Sequence, residues 1–146
     1  MTASSYHLSI EARAVVRGRA SGVALVSSEP LSFWGGYDPA TGEILDRRHP
    51  LSGERAGGRI LAIPFTKGSS TTTQILLEAI RAGTAPAAIV SRGEDSFLAL
   101  ASIVADEMYR KPIPILAVSP EDFARLRTGQ RLEIGESGRI EVDAGC

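Results

Sequence analysis

The chain is 146 residues long, enough for one compact core and too few for two ordinary domains. Its formal net charge of -1 leaves no basic excess to attract nucleic acid or an anionic membrane, and its 43% hydrophobic content fits a soluble globular fold. No apolar run approaches the roughly 20 residues that span a bilayer, the N-terminus lacks the basic-then-apolar pattern of a leader, and the one cysteine, Cys146, is the last residue. These features predict a cytoplasmic protein with no disulfide framework and no zinc or iron–sulfur site built from its own thiols.

Residues 10–26, "IEARAVVRGRASGVALV", alternate apolar with polar or small residues around Gly18, the period of half-buried strands broken by a turn or bulge. Residues 27–58 are dense in Gly, Pro, Asp and Ser, with room for one short strand near Glu43–Asp46. A long irregular segment of this kind is uncommon and tends to be functional. "RILAIP", Arg59 to Pro64, reads as a buried strand. "TTTQILLEAIRA", Thr71 to Ala82, carries apolar residues at 75, 76, 79 and 80, a helical stripe, and Gly83 stands at its stop. "APAAIVS" predicts a strand ending at Ser91, and "SFLALASIVADEMYR" a helix from Ser96 with Asp95 or Ser96 as its cap. "IPILAVS" predicts another strand. Ser119 and Pro120 open a brief helix with acidic residues in its first turn. "QRLEIGESGRIEVD" predicts a hairpin turning at Glu136–Gly138. The whole, residues 1–146, reads as one mixed α/β domain.

Two stretches carry possible chemistry. In "IPFTKGSSTTTQ", Lys67-Gly68-Ser69-Ser70 lies between a strand and a helix. Its hydroxyls suit a helix cap, an anion site at free backbone N–H groups, or a catalytic serine. A nucleotide phosphate loop is excluded, because the lysine precedes the glycine. In "EPLSFWGGYDPATG", the only tryptophan stands beside a glycine pair, which suits a core plug, a partner surface or a substrate contact. His49 lacks triad partners and metal-ligand spacing and reads as structural or solvated. "GERAGGR" reads as a solvated turn.

Taken together, Glu29-Pro30-Leu31-Ser32-Phe33, Gly35-Gly36, Asp38-Pro39 with Thr41-Gly42, His49-Pro50-Leu51, Gly58-Arg59-Ile60 and Lys67-Gly68-Ser69-Ser70 resemble the small domain of the aconitase X family over nearly the whole chain. The resemblance implies an α/β swivelling β/β/α domain, a small barrel-like sheet with flanking helices. It implies a hydro-lyase active only with a large partner chain that holds an iron–sulfur cluster through its own cysteines, with no metal held here. Ser69 is then the expected proton acceptor, supported by Lys67, Gly68, Ser70 and Thr71, with Ser70 and Thr71 as caps. Thr71 stands where ordinary aconitases carry an arginine after Gly-Ser-Ser. A substrate carboxylate is therefore expected to be held by Lys67 or by the partner. Phe33, Trp34, Gly35, Gly36 and Asp38 become a lip closing on that partner. Gly-Ser-Ser followed by threonines, rather than the Gly-Ser-Thr with valine and glycine of archaeal small subunits, puts cis-3-hydroxy-L-proline ahead of mevalonate 5-phosphate as substrate. The rival of another class is a non-catalytic anion-binding or regulatory module.

Overall fold

The computed structural model describes residues 7–68 and 70–143. Ten strands and three helices lie within them: β1 His7–Glu11, β2 Arg13–Val16, β3 Ala20–Val26, β4 Leu31–Ser32, β5 Ile60–Ile63, β6 Thr66–Lys67, α1 Ser70–Ala82, β7 Ala88–Arg92, α2 Ser96–Tyr109, β8 Ile115–Val118, α3 Pro120–Phe123, β9 Arg131–Ile134 and β10 Arg139–Asp143. Eight of these strands form one sheet in the order β1-β10-β9-β3-β5-β7-β8-β2, and β4 and β6 form a separate pair.

Two facts make the large sheet barrel-like. Strand β3 serves both halves, because Ala20–Val23 pair antiparallel with β9 while Ala24–Val26 pair parallel with β5. The two strands at opposite ends of the order, β1 and β2, are joined in sequence by Ala12 alone. One residue cannot span a flat eight-stranded sheet at about 4.8 Å per strand, so the sheet must curl until its edges meet. The hairpin turn reinforces this seam. Ala12 N–H donates to the Gly138 carbonyl at 3.0 Å, and Gly138, at φ +98°, approaches so closely that a Cβ there would lie 2.5 Å from the Ala12 oxygen.

The parallel strands are covered on both faces, and their side chains alternate between two cores. Ile60 and Ala62 of β5 face the barrel interior with Val90, Leu116, Leu132 and Ile140, while Leu61 and Ile63 face the outer core. There Leu76, Ala79 and Ile80 of α1 and Leu98, Ala101 and Ala105 of α2 pack with Leu31, Phe33, Tyr37 and Ile44 of the long segment. Asp95 caps α2, and Ser119 Oγ accepts from Asp122 N–H to cap α3. No helix among the described residues is long and apolar enough to cross a membrane.

Two expected features differ. The strand near Glu43–Asp46 is absent, and isolated bridges, Tyr37 with Ile44 and Glu43 with Arg55, hold that region instead. In its place the long segment contributes β4, which pairs in parallel with β6 through Leu31–Thr66 and Ser32–Lys67. Ordering of the segment comes from side chains more than from a ladder. Phe33 stacks on Tyr37 with ring centroids 5.0 Å apart, and the Tyr37 hydroxyl donates to the Thr84 carbonyl at 2.8 Å. Burial pushes the Tyr37 phenol well above its ordinary pKa, so it remains a donor throughout the physiological range.

Candidate active site

Strand β6 delivers Lys67 and Gly68 to the N-terminus of α1. Gly68 has φ +115°, a conformation that L side chains rarely adopt, and its bare face looks onto the next turn. A Cβ there would sit 3.4 Å from Thr71 Oγ1 and 3.5 Å from Thr72 Oγ1. Ser69, the expected proton acceptor, and Cys146 lie outside the described residues. The helix that opens after position 69 has no acidic residue in its first turn. No acid of that turn therefore offsets the positive end of its dipole, and Lys67 adds a further exposed cation.

Asp95 makes this arrangement rigid. Its Oδ1 accepts from the N–H groups of Phe97 and Leu98 at 3.1 and 3.2 Å, which caps α2. Its Oδ2 accepts from Thr66 N–H at 3.0 Å and Thr66 Oγ1 at 2.6 Å, which fixes β6. One carboxylate, 9% exposed, thus ties the strand carrying Lys67 to the start of the second helix. Thr73 Oγ1 completes the tie by donating to the Phe97 carbonyl at 2.9 Å. Two helix N-termini consequently meet beside β6. That of α2 is satisfied by an acid, and the first turn of α1 holds none.

Ser70 and Thr71 do not act as caps. Ser70 is already the first helical residue, and neither hydroxyl accepts a backbone N–H. Thr72 is the more informative residue. It is 0% exposed, and its Oγ1 has no hydrogen-bond partner. Buried hydroxyls are nearly always paired, and an unpaired one costs about 1–3 kcal/mol.

The expected lip divides. Trp34 is 68% exposed, and Gly35 beside it is open to solvent. Phe33 is 0% exposed and belongs to the core, so it presents no ring to a partner. The reason is the tight turn from Phe33 to Tyr37, whose N–H donates to the Phe33 carbonyl, with Trp34 and Gly35 left outside and both ends buried. Gly36 is buried, and a Cβ on it would lie 2.1 Å from the Ser32 oxygen. Asp38 spends its carboxylate on its own turn, accepting from Ala40 N–H at 2.9 Å. The exposed aromatics that do flank β4 and β6 are Trp34, Phe65 and Phe97.

Beside Lys67 lies a cavity of about 310 Å³. Glu29, Asp46, Arg48 and His49 from the long segment form its other polar walls. His49 is structural, as expected. Its Nδ1 accepts from Leu51 N–H at 3.0 Å, which leaves Nε2 as the protonated nitrogen of the neutral ring, 3.5 Å from Ser27 Oγ. No group of three or more His, Cys, Asp or Glu that could hold a metal occurs among the described residues. An iron–sulfur cluster does not fit the donors that this part of the chain offers.

Comparison with known proteins places this geometry in a family. Residues 9–142 match the aconitase X swivel domain. The chain is 48% identical, over 89% of its length, to a cis-3-hydroxy-L-proline dehydratase of Pseudomonas aeruginosa, but spans only 22% of that larger protein. It is 36% identical to the phosphomevalonate dehydratase small subunit of Methanothermobacter thermautotrophicus, covering 94% of this chain and 95% of that one. Among solved structures, the aconitase X of Thermococcus kodakaraensis in its holo form superposes with a TM-score of 0.81 at 33% identity, covering 92% of this chain and 98% of that one. The chain belongs to the aconitase X swivel domain family.

Proposed function

We propose that this chain is the serine-bearing part of a hydro-lyase, and that cis-3-hydroxy-L-proline is its substrate. The observation that carries the reading is the N-terminus of α1: an acid-free first turn opening after Lys67 and a left-handed Gly68, beside an open cavity. A serine hydroxyl is a poor base in water. Backbone N–H donors, a helix dipole and a lysine ammonium together lower the cost of its alkoxide. Ser69 takes the proton from the substrate carbon that bears the carboxylate. The bond from the neighbouring carbon to its hydroxyl breaks, and that group leaves as water. The resulting enamine shifts a proton from nitrogen to carbon to give Δ1-pyrroline-2-carboxylate. The remaining machinery, including an iron–sulfur cluster, is assigned to a larger aconitase X chain.

A second reading, the small subunit of a phosphomevalonate dehydratase, is favoured by the near full-length match to the archaeal small subunits. Assembly with the large chain, followed by an assay on both substrates, separates the readings. In the active complex, Ser69→Ala lowers kcat by about 10²–10⁴-fold, the usual contribution of a general base, while substrate still binds. Ser70→Ala, whose hydroxyl caps nothing, changes kcat and melting temperature little. A near-normal kcat in Ser69→Ala, with only a lowered melting temperature, rejects the base. An assembled complex with no turnover of either acid favours a non-catalytic module.

A further inference from the structure

The cavity beside Lys67 has an unusual charge arrangement. Two cations, Arg48 and Lys67, and two carboxylates, Glu29 and Asp46, line one space of about 310 Å³. Opposite charges this close on a surface ordinarily pair. Among the described residues no ion pair joins them, and the Glu29 carboxylate, the Arg48 guanidinium and the Lys67 ammonium have no partner. Local bonds fix the backbone that carries them. The Asp46 carboxylate accepts from Arg48 N–H at 3.0 Å, closing the turn that projects Arg48. Ser27 Oγ accepts from Glu29 N–H at 2.9 Å and donates to the Glu29 carbonyl at 3.1 Å, clamping that residue from its backbone. Lys67 is fixed by the β4–β6 pairing. Three fixed segments thus bring these residues to the wall of one space, whose size falls at the lower end of small-molecule sites.

We infer that this cavity is a subsite for a zwitterion: Arg48 and Lys67 take the carboxylate of a cyclic amino acid, and Glu29 takes its ring ammonium. This assignment rests on the proposed dehydration and specifies its substrate class. The charges decide between the two acids. An amino acid presents one anion and one cation to a wall of two cations and two carboxylates. A phosphorylated hydroxy acid presents only anions, at both ends, and would set one of them against Glu29 and Asp46. Arg48 brings to this wall a guanidinium, whose planar fork can bind a carboxylate through two parallel hydrogen bonds.

The test uses the complex with the large chain and measures equilibrium binding separately from turnover. Two ligands are compared: cis-3-hydroxy-L-proline, and its analogue with ring oxygen in place of the ring nitrogen. Glu29→Gln should weaken binding of the amino acid by about tenfold or more and leave the oxygen analogue within about twofold, the loss of one charge-assisted contact. Arg48→Gln should weaken both ligands by at least tenfold, because both keep the carboxylate. Equal affinity in Glu29→Gln and wild type overturns the subsite. So does a Glu29→Gln effect of the same size on both ligands. Loss of assembly in these variants, with unchanged affinity in whatever complex forms, also overturns it and makes the cavity a docking surface. A complex that binds the amino acid with this selectivity but does not dehydrate it upholds the subsite and overturns the reaction. A complex that binds no cyclic amino acid overturns the subsite.

Discussion

Thr72 departs from a folding rule beside the candidate site. Its hydroxyl is buried without a partner on the third residue of α1, facing the bare side of Gly68. Valine has the same shape and nearly the same helix propensity. Thr72→Val should therefore raise the stability of the isolated chain, by about 1 kcal/mol, because it removes an unpaired polar group. If the hydroxyl serves the reacting serine, the same variant lowers kcat in the assembled enzyme. Thermal melting and steady-state kinetics read the two effects. A loss of stability would mean that the hydroxyl is satisfied in solution and is structural. The run of hydroxyls after Gly68 was legible in the sequence as a candidate site, but the burial of Thr72 within it was not. Capping depends on where the first helical residue falls, which spacing alone does not fix to one position. Phe33 and Trp34 were illegible for a similar reason. Neither a period of two nor one of 3.6 operates in the Phe33–Tyr37 turn, so nothing local says which ring faces inward.

Among elements, β6 matters most and is the shortest. Two residues are too few to leave a hydrophobic period, so this strand could not be read from the sequence, whereas β5, β7, β8 and the three helices could. Asp95 was readable as the cap of α2 but not as the anchor of Thr66, 29 residues away. The two roles separate by mutation. Asp95→Asn keeps a carbonyl oxygen for the α2 cap but turns a donor toward Thr66. Asp95→Ala loses both. The alanine variant should cost about 1 kcal/mol for the cap and about 1–3 kcal/mol more for the donors of Thr66. Hydrogen exchange should speed up at the Thr66 amide in both variants and at the Leu98 amide only in Asp95→Ala. If Thr66 exchange is unchanged in Asp95→Asn, the carboxylate does not hold β6.

For the whole molecule, the exposed rings Trp34, Phe65 and Phe97 around β4, β6 and the start of α2 mark the face expected to meet the large chain. Trp34→Ala should leave the melting temperature of the isolated chain nearly unchanged, as surface substitutions usually do, and weaken assembly by about 2 kcal/mol or more. Phe33→Ala should behave in the opposite way, destabilising the chain by about 3–5 kcal/mol through loss of a fully buried ring. Melting curves and titration of the partner measure both. If Trp34→Ala assembles normally, the large chain docks elsewhere. The barrel itself was not legible beyond its family resemblance. Periodicity gives strands, while closure is a long-range fact that rests on Ala12 and Gly138 meeting across the sequence.

That seam has a consequence for how the protein is made. His7–Glu11, among the first described residues to leave the ribosome, pairs with Arg139–Asp143, among the last. Until the final hairpin emerges, β1 has no neighbour and the apolar interior of the barrel stays open. The central parallel strands and the two long helices are complete well before then. Closure is thus the late event, set by the loop entropy of joining two strands far apart in sequence. During synthesis the nascent chain holds an exposed strand and a half-built core, the state most prone to aggregation. The helices and β6, which frame the candidate site, are finished while the barrel is still waiting for β10.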